Sequence, residues 1–153
     1  MCLEISYLLS GQYDYELALS IELLHNASLI IDDLPCMDND KYRRNKLTVH
    51  AKYGENVAKI VAYFMIFEAL KLIKDLNFEL IIDYINNIKK AAIGQYYDLK
   101  NLNDKNINND KLNLKTSPFF YLVFVCTYKK YKKCDKNILE KLDIIYSSFS
   151  NFF

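Results

Sequence analysis

From Ile30 to Arg44 the chain reads I-I-D-D-L-P-C-M-D-N-D-K-Y-R-R, so Asp32, Asp33 and Asp38 close an apolar stretch and Arg43 and Arg44 follow soon after. Carboxylates grouped in this way bind hard divalent cations through oxygen. Mg²⁺ held by one or two of them commonly fills its remaining positions with water and substrate phosphate oxygens. Adjacent arginines offer forked N–H donors that match phosphate. Acid, cation, phosphate and base at this spacing describe a site that handles a diphosphate. The plainer alternative is an ordinary helix end with solvated acids before a proline turn. That would suffice for a bare D-D pair, but not for D-D-x-x-x-x-D with R-R behind it. An EF-hand is excluded, because neither register supplies the loop glycine and the closing glutamate.

The helix that must carry these acids is legible upstream. Tyr13 to Leu34 sets Leu17, Ile21, Leu24, Ser28 and Ile31 at helical spacing, widened by Leu23, Ala27 and Ile30. Asp14 and Glu16 suit its positive end, and Pro35 stops it just past Asp33. His25 and Asp32 lie seven residues apart, hence on nearly one face and about 10 Å apart. With Ser28 they make a polar line on a greasy helix, which predicts a ligand or a water-filled cavity to satisfy them. His25 taken alone reads as a hydrogen-bonded core residue, and His50 as structural. Further helices are expected over Gly54–Leu76, Phe78–Leu102, Lys115–Tyr128 and Lys136–Phe149. Asn103 to Asn113 reads as a polar loop, and Lys129, Lys130, Lys132 and Lys133 as a solvated turn. With three glycines, two prolines and no sustained apolar alternation, the pattern is all-α.

Bulk properties narrow the field. A chain of 153 residues, 52% of them hydrophobic, is one domain with a real core. A net charge of +1 gives no general attraction to nucleic acid. The apolar run Val57–Ile73 is broken by Lys59, Glu68 and Lys71, so no transmembrane segment is expected. Met1 to Ser10 lacks the basic region and cleavage site of a signal peptide. Four cysteines without zinc-type spacing read as reduced thiols in the cytoplasm.

Three motifs in order carry a resemblance. A-L-S-I-E-L-L-H-N-A-S-L-I-I-D-D-L-P-C-M-D-N-D, then R-R-N-K-L-T-V-H and Y-G-E-N-V-A, resembles the first aspartate-rich motif of the trans-isoprenyl diphosphate synthases, the farnesyl and geranylgeranyl diphosphate synthases and their relatives. Gly94 to Asp98, G-Q-Y-Y-D, is similar to the family's G-Q-x-x-D, and Lys115-Thr116 to its K-T pair. The resemblance implies an all-α helical bundle of the isoprenoid synthase type around a central apolar cavity. It also implies head-to-tail condensation of isopentenyl diphosphate with an allylic diphosphate, assisted by Mg²⁺, and a homodimer or a heteromer with a complementary synthase chain.

Residue by residue, the resemblance makes Asp32 and Asp38 the metal ligands with Asp33 beside them in the metal group. Arg43 would bind the allylic diphosphate, while Arg44 and His25 would bind isopentenyl diphosphate. Lys115 and Gln95 would hold the allylic diphosphate, with Asp98 one turn from Gln95 on the same face. Thr116 would face the developing carbocation. Bulk just upstream of the aspartates limits product length in the family, and the small Ala27 and Ser28 imply a geranylgeranyl product or longer.

The sequence also departs from the family pattern. The N-terminal G-G-K-R and the second aspartate-rich motif are absent, an expected G-D reads Ala62-Tyr63, and the residues after K-T are Ser117-Pro118. Three readings follow: part of a synthase whose complete form supplies the ends, a non-catalytic synthase-like subunit or a remnant. A terpene cyclase is disfavoured by R-R and G-Q-x-x-D.

Overall fold

The computed structural model describes residues 1–101, 109–132 and 135–150. Among them the chain is all-α apart from one short hairpin: α1 Cys2–Ser10, α2 Tyr15–Asp32, β1 Tyr42–Arg43, β2 Lys46–Leu47, α3 Val49–Tyr53, α4 Glu55–Leu72, α5 Phe78–Asn101, α6 Asn109–Asn113, α7 Ser117–Tyr121, α8 Thr127–Tyr131 and α9 Lys136–Ser150. Between α7 and α8 the helix widens into a π-helical turn, Leu122–Cys126. No helix among the described residues is long and apolar enough to cross a membrane. The chain forms two compact units, the first from Met1–Ala18 with Asp75–Phe153 and the second from Leu19–Lys74.

In the first unit α5 presents Leu80, Tyr84, Asn87 and Gly94 as its buried stripe, at spacings of one or two helical turns. It starts at Phe78 because the Asn77 side chain accepts the Leu80 N–H at 2.9 Å, a helix cap. Around the π turn, Val125, Cys126, Thr127 and Tyr128 are all buried, so the chain is covered on more than one side there. Against it lies α1, with the Cys2 thiol 3.4 Å from the Thr127 hydroxyl.

Charged groups tie this unit together. Asp14 caps α2 by accepting the Leu17 N–H at 3.1 Å, and its other oxygen accepts from Lys130 and Tyr131, both at 2.6 Å. Burial alone would raise this carboxyl, yet those hydrogen bonds hold it below its ordinary value. Lys129 donates to Asp83 at 2.5 Å and to the Tyr121 hydroxyl at 3.2 Å. Burial pushes the Tyr121 phenol up to about 12.

These pairs correct the expectation of a solvated lysine turn. Lys129 and Lys130 belong to α8 and face carboxylates far away in sequence, which no local charge count could reveal. Other boundaries shift modestly. The expected helix over Lys115–Tyr128 begins at Ser117 and runs on to Tyr131 through the π turn. In the expected loop Asn103–Asn113, Asn109–Asn113 is helical and 103–108 lie outside the described residues.

The second unit packs Ile21, Leu24 and Ala27 of α2 and Ala58, Ala62, Ala69 and Ile73 of the α4 region as buried side chains. The Ser20 hydroxyl donates to the Ala69 carbonyl at 3.0 Å, which joins the two helices. Gly54 separates α3 from α4 at φ 92° and ψ 157°, a region reserved almost entirely for glycine.

Candidate active site

In the second unit the acidic residues are assembled by backbone. α2 ends at Asp32, and the following loop folds back so that the Asp38 amide donates to the Asp32 carbonyl at 2.9 Å. The Met37 and Asn39 amides both donate to the Leu34 carbonyl, and Asn39 takes a positive φ of 57° to close the turn. Asp32 and Asp33 are buried, whereas Asp38 is exposed.

The arginines ride on the hairpin. Its strands pair Tyr42 with Leu47 and Arg43 with Lys46, leaving Arg44 and Asn45 as a two-residue turn, with φ 50° and 62°. Positive φ at both positions matches the right-handed twist of a tight hairpin. Asparagine adopts it readily and arginine does so at a cost. Thr48 closes the hairpin base: its hydroxyl donates to the Asp40 carbonyl at 2.8 Å and its amide to the Lys41 carbonyl at 3.0 Å. His50 sits 3.1 Å from the same hydroxyl, consistent with a structural role.

Arg43 meets Asp33 side-on. Oδ1 accepts from Nε at 2.9 Å and from Nη2 at 2.7 Å, and Oδ2 lies 3.2 Å from Nε. That carboxylate holds the guanidinium above its ordinary basicity, with Asp32 and Asp40 adding to the effect. His25 is pushed below its ordinary value, first by burial and then by Arg44 and Arg43, with Glu22 opposing. Of the polar line on α2, Ser28 needs no ligand, because its hydroxyl donates to the His25 carbonyl at 2.8 Å.

In the first unit the second group of site residues comes together. Lys115 donates to Asp98 at 2.7 Å. Gly94 is buried, and a Cβ there would run into the backbone of Leu114 and Lys115. The glycine is therefore what lets α5 approach the segment holding Lys115 and Thr116 so closely. Among the described residues, Gln95 Nε2 is buried with no hydrogen-bond partner. An orphaned buried donor of this kind suits an anionic acceptor that arrives with a ligand. Two features escaped the sequence reading: the Asp33–Arg43 pair and the Thr48 clasp. Only the presence of R-R beyond the acids hinted at the first.

Among the described residues no three His, Cys, Asp or Glu side chains converge as a ready-made metal cage. The donor set nevertheless fits Mg²⁺. Asp38 is bound back to Asp32, and Mg²⁺ is typically held by one or two carboxylates with phosphate and water completing its shell.

A helical fold with an acid-rich helix end and an arginine hairpin falls in the class of all-α isoprenoid synthases. A sequence model described as polyprenyl synthetase matches residues 2–153, and the chain belongs to that family. It is 36% identical over 113 residues to a farnesyl diphosphate synthase of Buchnera aphidicola subsp. Schizaphis graminum, covering 65% of this chain and 38% of that one. It is 50% identical over 60 residues to the heterodimeric geranylgeranyl pyrophosphate synthase large subunit 2 of Arabidopsis thaliana, covering 38% and 16%. The fold superposes on geranyltransferase from Helicobacter pylori, solved with magnesium and isoprenyl diphosphate, with TM-score 0.72 and 29% identity over 86% of this chain and 47% of that one. The chain thus spans under half the length of each of these relatives.

Proposed function

We propose that this chain supplies one share of a Mg²⁺-dependent prenyltransferase site. The reaction condenses isopentenyl diphosphate with an allylic diphosphate (dimethylallyl, geranyl or farnesyl) to a product of farnesyl to geranylgeranyl length. The observation that carries this reading is the loop after α2, which binds Asp38 back to Asp32 and sets Arg43 alongside Asp33. Asp32 and Asp38 would hold the cation, which supplies charge neutralisation for a departing diphosphate. Arg43, Lys115 and Gln95 would bind the allylic diphosphate. Arg44 and His25 would bind isopentenyl diphosphate, and Thr116 would line the path of the cationic carbon. Fixed donors of this kind stabilise the charge that develops on the leaving group. Both compact units would belong to one catalytic domain. A reducing, cytosolic setting is supported by the free thiols of Cys2, Cys36 and Cys126.

The partner in this reading is a second copy of the chain. On α4, Val57, Ile60, Phe64 and Phe67 repeat at alternating steps of three and four residues, with Tyr63 beside them, and all are 43–68% exposed. Aromatic side chains bury large areas, so this seam offers about 500 Å² per copy. Two copies would then bury about 1,000 Å², the threshold for a specific interface. Sedimentation should show a dimer that Phe64→Glu with Phe67→Glu converts to monomer.

The direct test is incorporation of radiolabelled isopentenyl diphosphate into an allylic product in Mg²⁺, abolished by Asp32→Ala. A chain that binds diphosphate without turnover would instead favour the second reading, a synthase-like subunit.

A further inference from the structure

We infer that Lys46 is a further binding residue for the allylic diphosphate, supplying a second cation beside Arg43. This deepens the site proposed above and rests on that reading. The hairpin pairs Arg43 with Lys46 across its two strands. Residues directly opposite in an antiparallel pair project from the same face, with Cβ atoms about 5 Å apart. Arg43 reaches Asp33 from that face, so Lys46 stands on the acid side of the hairpin.

The polarity of the hairpin is the reverse of what packing alone would choose. Its other pair, Tyr42 with Leu47, is 67% and 48% exposed, although these are its apolar residues. A ladder resting on an apolar core turns such a pair inward and its charges outward. Here the cationic pair takes the side of Asp33 and the apolar pair is left to solvent. Like charges directly opposite also weaken a hairpin, so Arg43 against Lys46 costs stability unless an anion lies between them. Asp33 answers only one of the two. It accepts from Arg43, while Lys46 has no hydrogen bond or ion pair among the described residues. A diphosphate has acceptor oxygens on two phosphate groups, so it can meet the guanidinium with one and the ammonium with the other. Lysine suits the second place, because its flexible stem lets a point charge follow the ligand.

The test titrates the full chain calorimetrically with geranyl thiodiphosphate, an unreactive allylic diphosphate, in the presence of Mg²⁺. Lys46→Met is expected to weaken binding about fivefold, and Lys46→Arg to hold it within about twofold. Without ligand, Lys46→Met should melt no lower than wild type, since it removes a like-charge neighbour of Arg43. As a control, Lys52→Met removes a charge of the same sign, held over the Tyr53 ring in the same unit. It should leave affinity within about twofold, because an exposed charge away from the ligand is screened. Titration with isopentenyl diphosphate alone should change as little in Lys46→Met, because Arg44 and His25 serve that substrate. Unchanged affinity in Lys46→Met would make the residue an ordinary solvated lysine and overturn the inference. So would equal losses in Lys46→Met and Lys52→Met, which trace to net charge, or an equal loss for isopentenyl diphosphate. A Lys46→Met chain that melts well below wild type would also overturn it, because the residue would then be holding the hairpin together. A wild-type chain that takes up neither diphosphate removes the parent reading along with this one, an outcome distinct from the rest.

Discussion

The two groups of candidate site residues are assembled by opposite means. In the second unit His25 and Asp32 lie on α2, but Asp33, Asp38, Arg43 and Arg44 sit on a loop and a hairpin, held by backbone turns at Asn39, Arg44 and Asn45 with positive φ. In the first unit they sit on helix and helix edge, and a missing Cβ at Gly94 sets their approach. Loop geometry puts the demand on residue type, so changes there should alter binding more than stability. A backbone contact between packed segments puts the demand on volume, so changes there should unfold the unit first.

The sharpest break of that contrast is Gly94→Ala. The added methyl meets backbone rather than a yielding side chain, so a cost of about 3 kcal/mol is expected in urea unfolding. A loss below about 1 kcal/mol would show that α5 moves aside easily.

Next in size is Asp14→Asn, also in the first unit, where a helix cap and bonds from Lys130 and Tyr131 weaken together. About 2 kcal/mol is expected at neutral pH. Because the folded-state pKa of Asp14 is depressed, its contribution is whole above about pH 4, the unfolded value. It is lost as pH falls through the lower folded-state value. The wild type should lose stability in acid more steeply than Asp14→Asn does.

In the second unit the signs reverse. Arg44→Gly relieves a left-handed arginine at some entropic cost, giving a net gain of about 0.5 kcal/mol in thermal melting. The same change should weaken binding of isopentenyl diphosphate. Back in the first unit, and smallest in stability because no packed backbone is disturbed, is Lys115→Met, which breaks a pair whose side chains are 28% and 38% exposed. Solvent screening limits that loss to about 0.5 kcal/mol or less, while pyrophosphate affinity should drop visibly in calorimetry.

Much of this was legible in sequence. Apolar periodicity found α2, α4, α5 and α9 to within a few residues, because α2, α4 and α5 each bury one face, while α9 half-buries Leu139, Leu142 and Tyr146 at helical spacing. The spacing of the acids and R-R singled out the segment in which the structure brings Arg43 to Asp33 and Asp38 back to Asp32. What stayed hidden depends on partners distant in sequence. Lys129 and Lys130 looked like surface charge until Asp83 and Asp14 were placed against them. The hairpin has two-residue strands, too short for alternation to register, and an arginine where its turn calls for glycine or asparagine. The π turn at Leu122–Cys126 has no residue signature, since its helix continues the same apolar run.

The central claim is that Asp32 and Asp38 bring Mg²⁺ to a diphosphate. Calorimetry of the purified chain with inorganic pyrophosphate tests it most directly. The expected result is heat of binding that requires Mg²⁺, vanishes with a chelator and is lost in the Asp32→Ala, Asp38→Ala double variant. Equal heat from wild type and double variant, or binding indifferent to Mg²⁺, would contradict it.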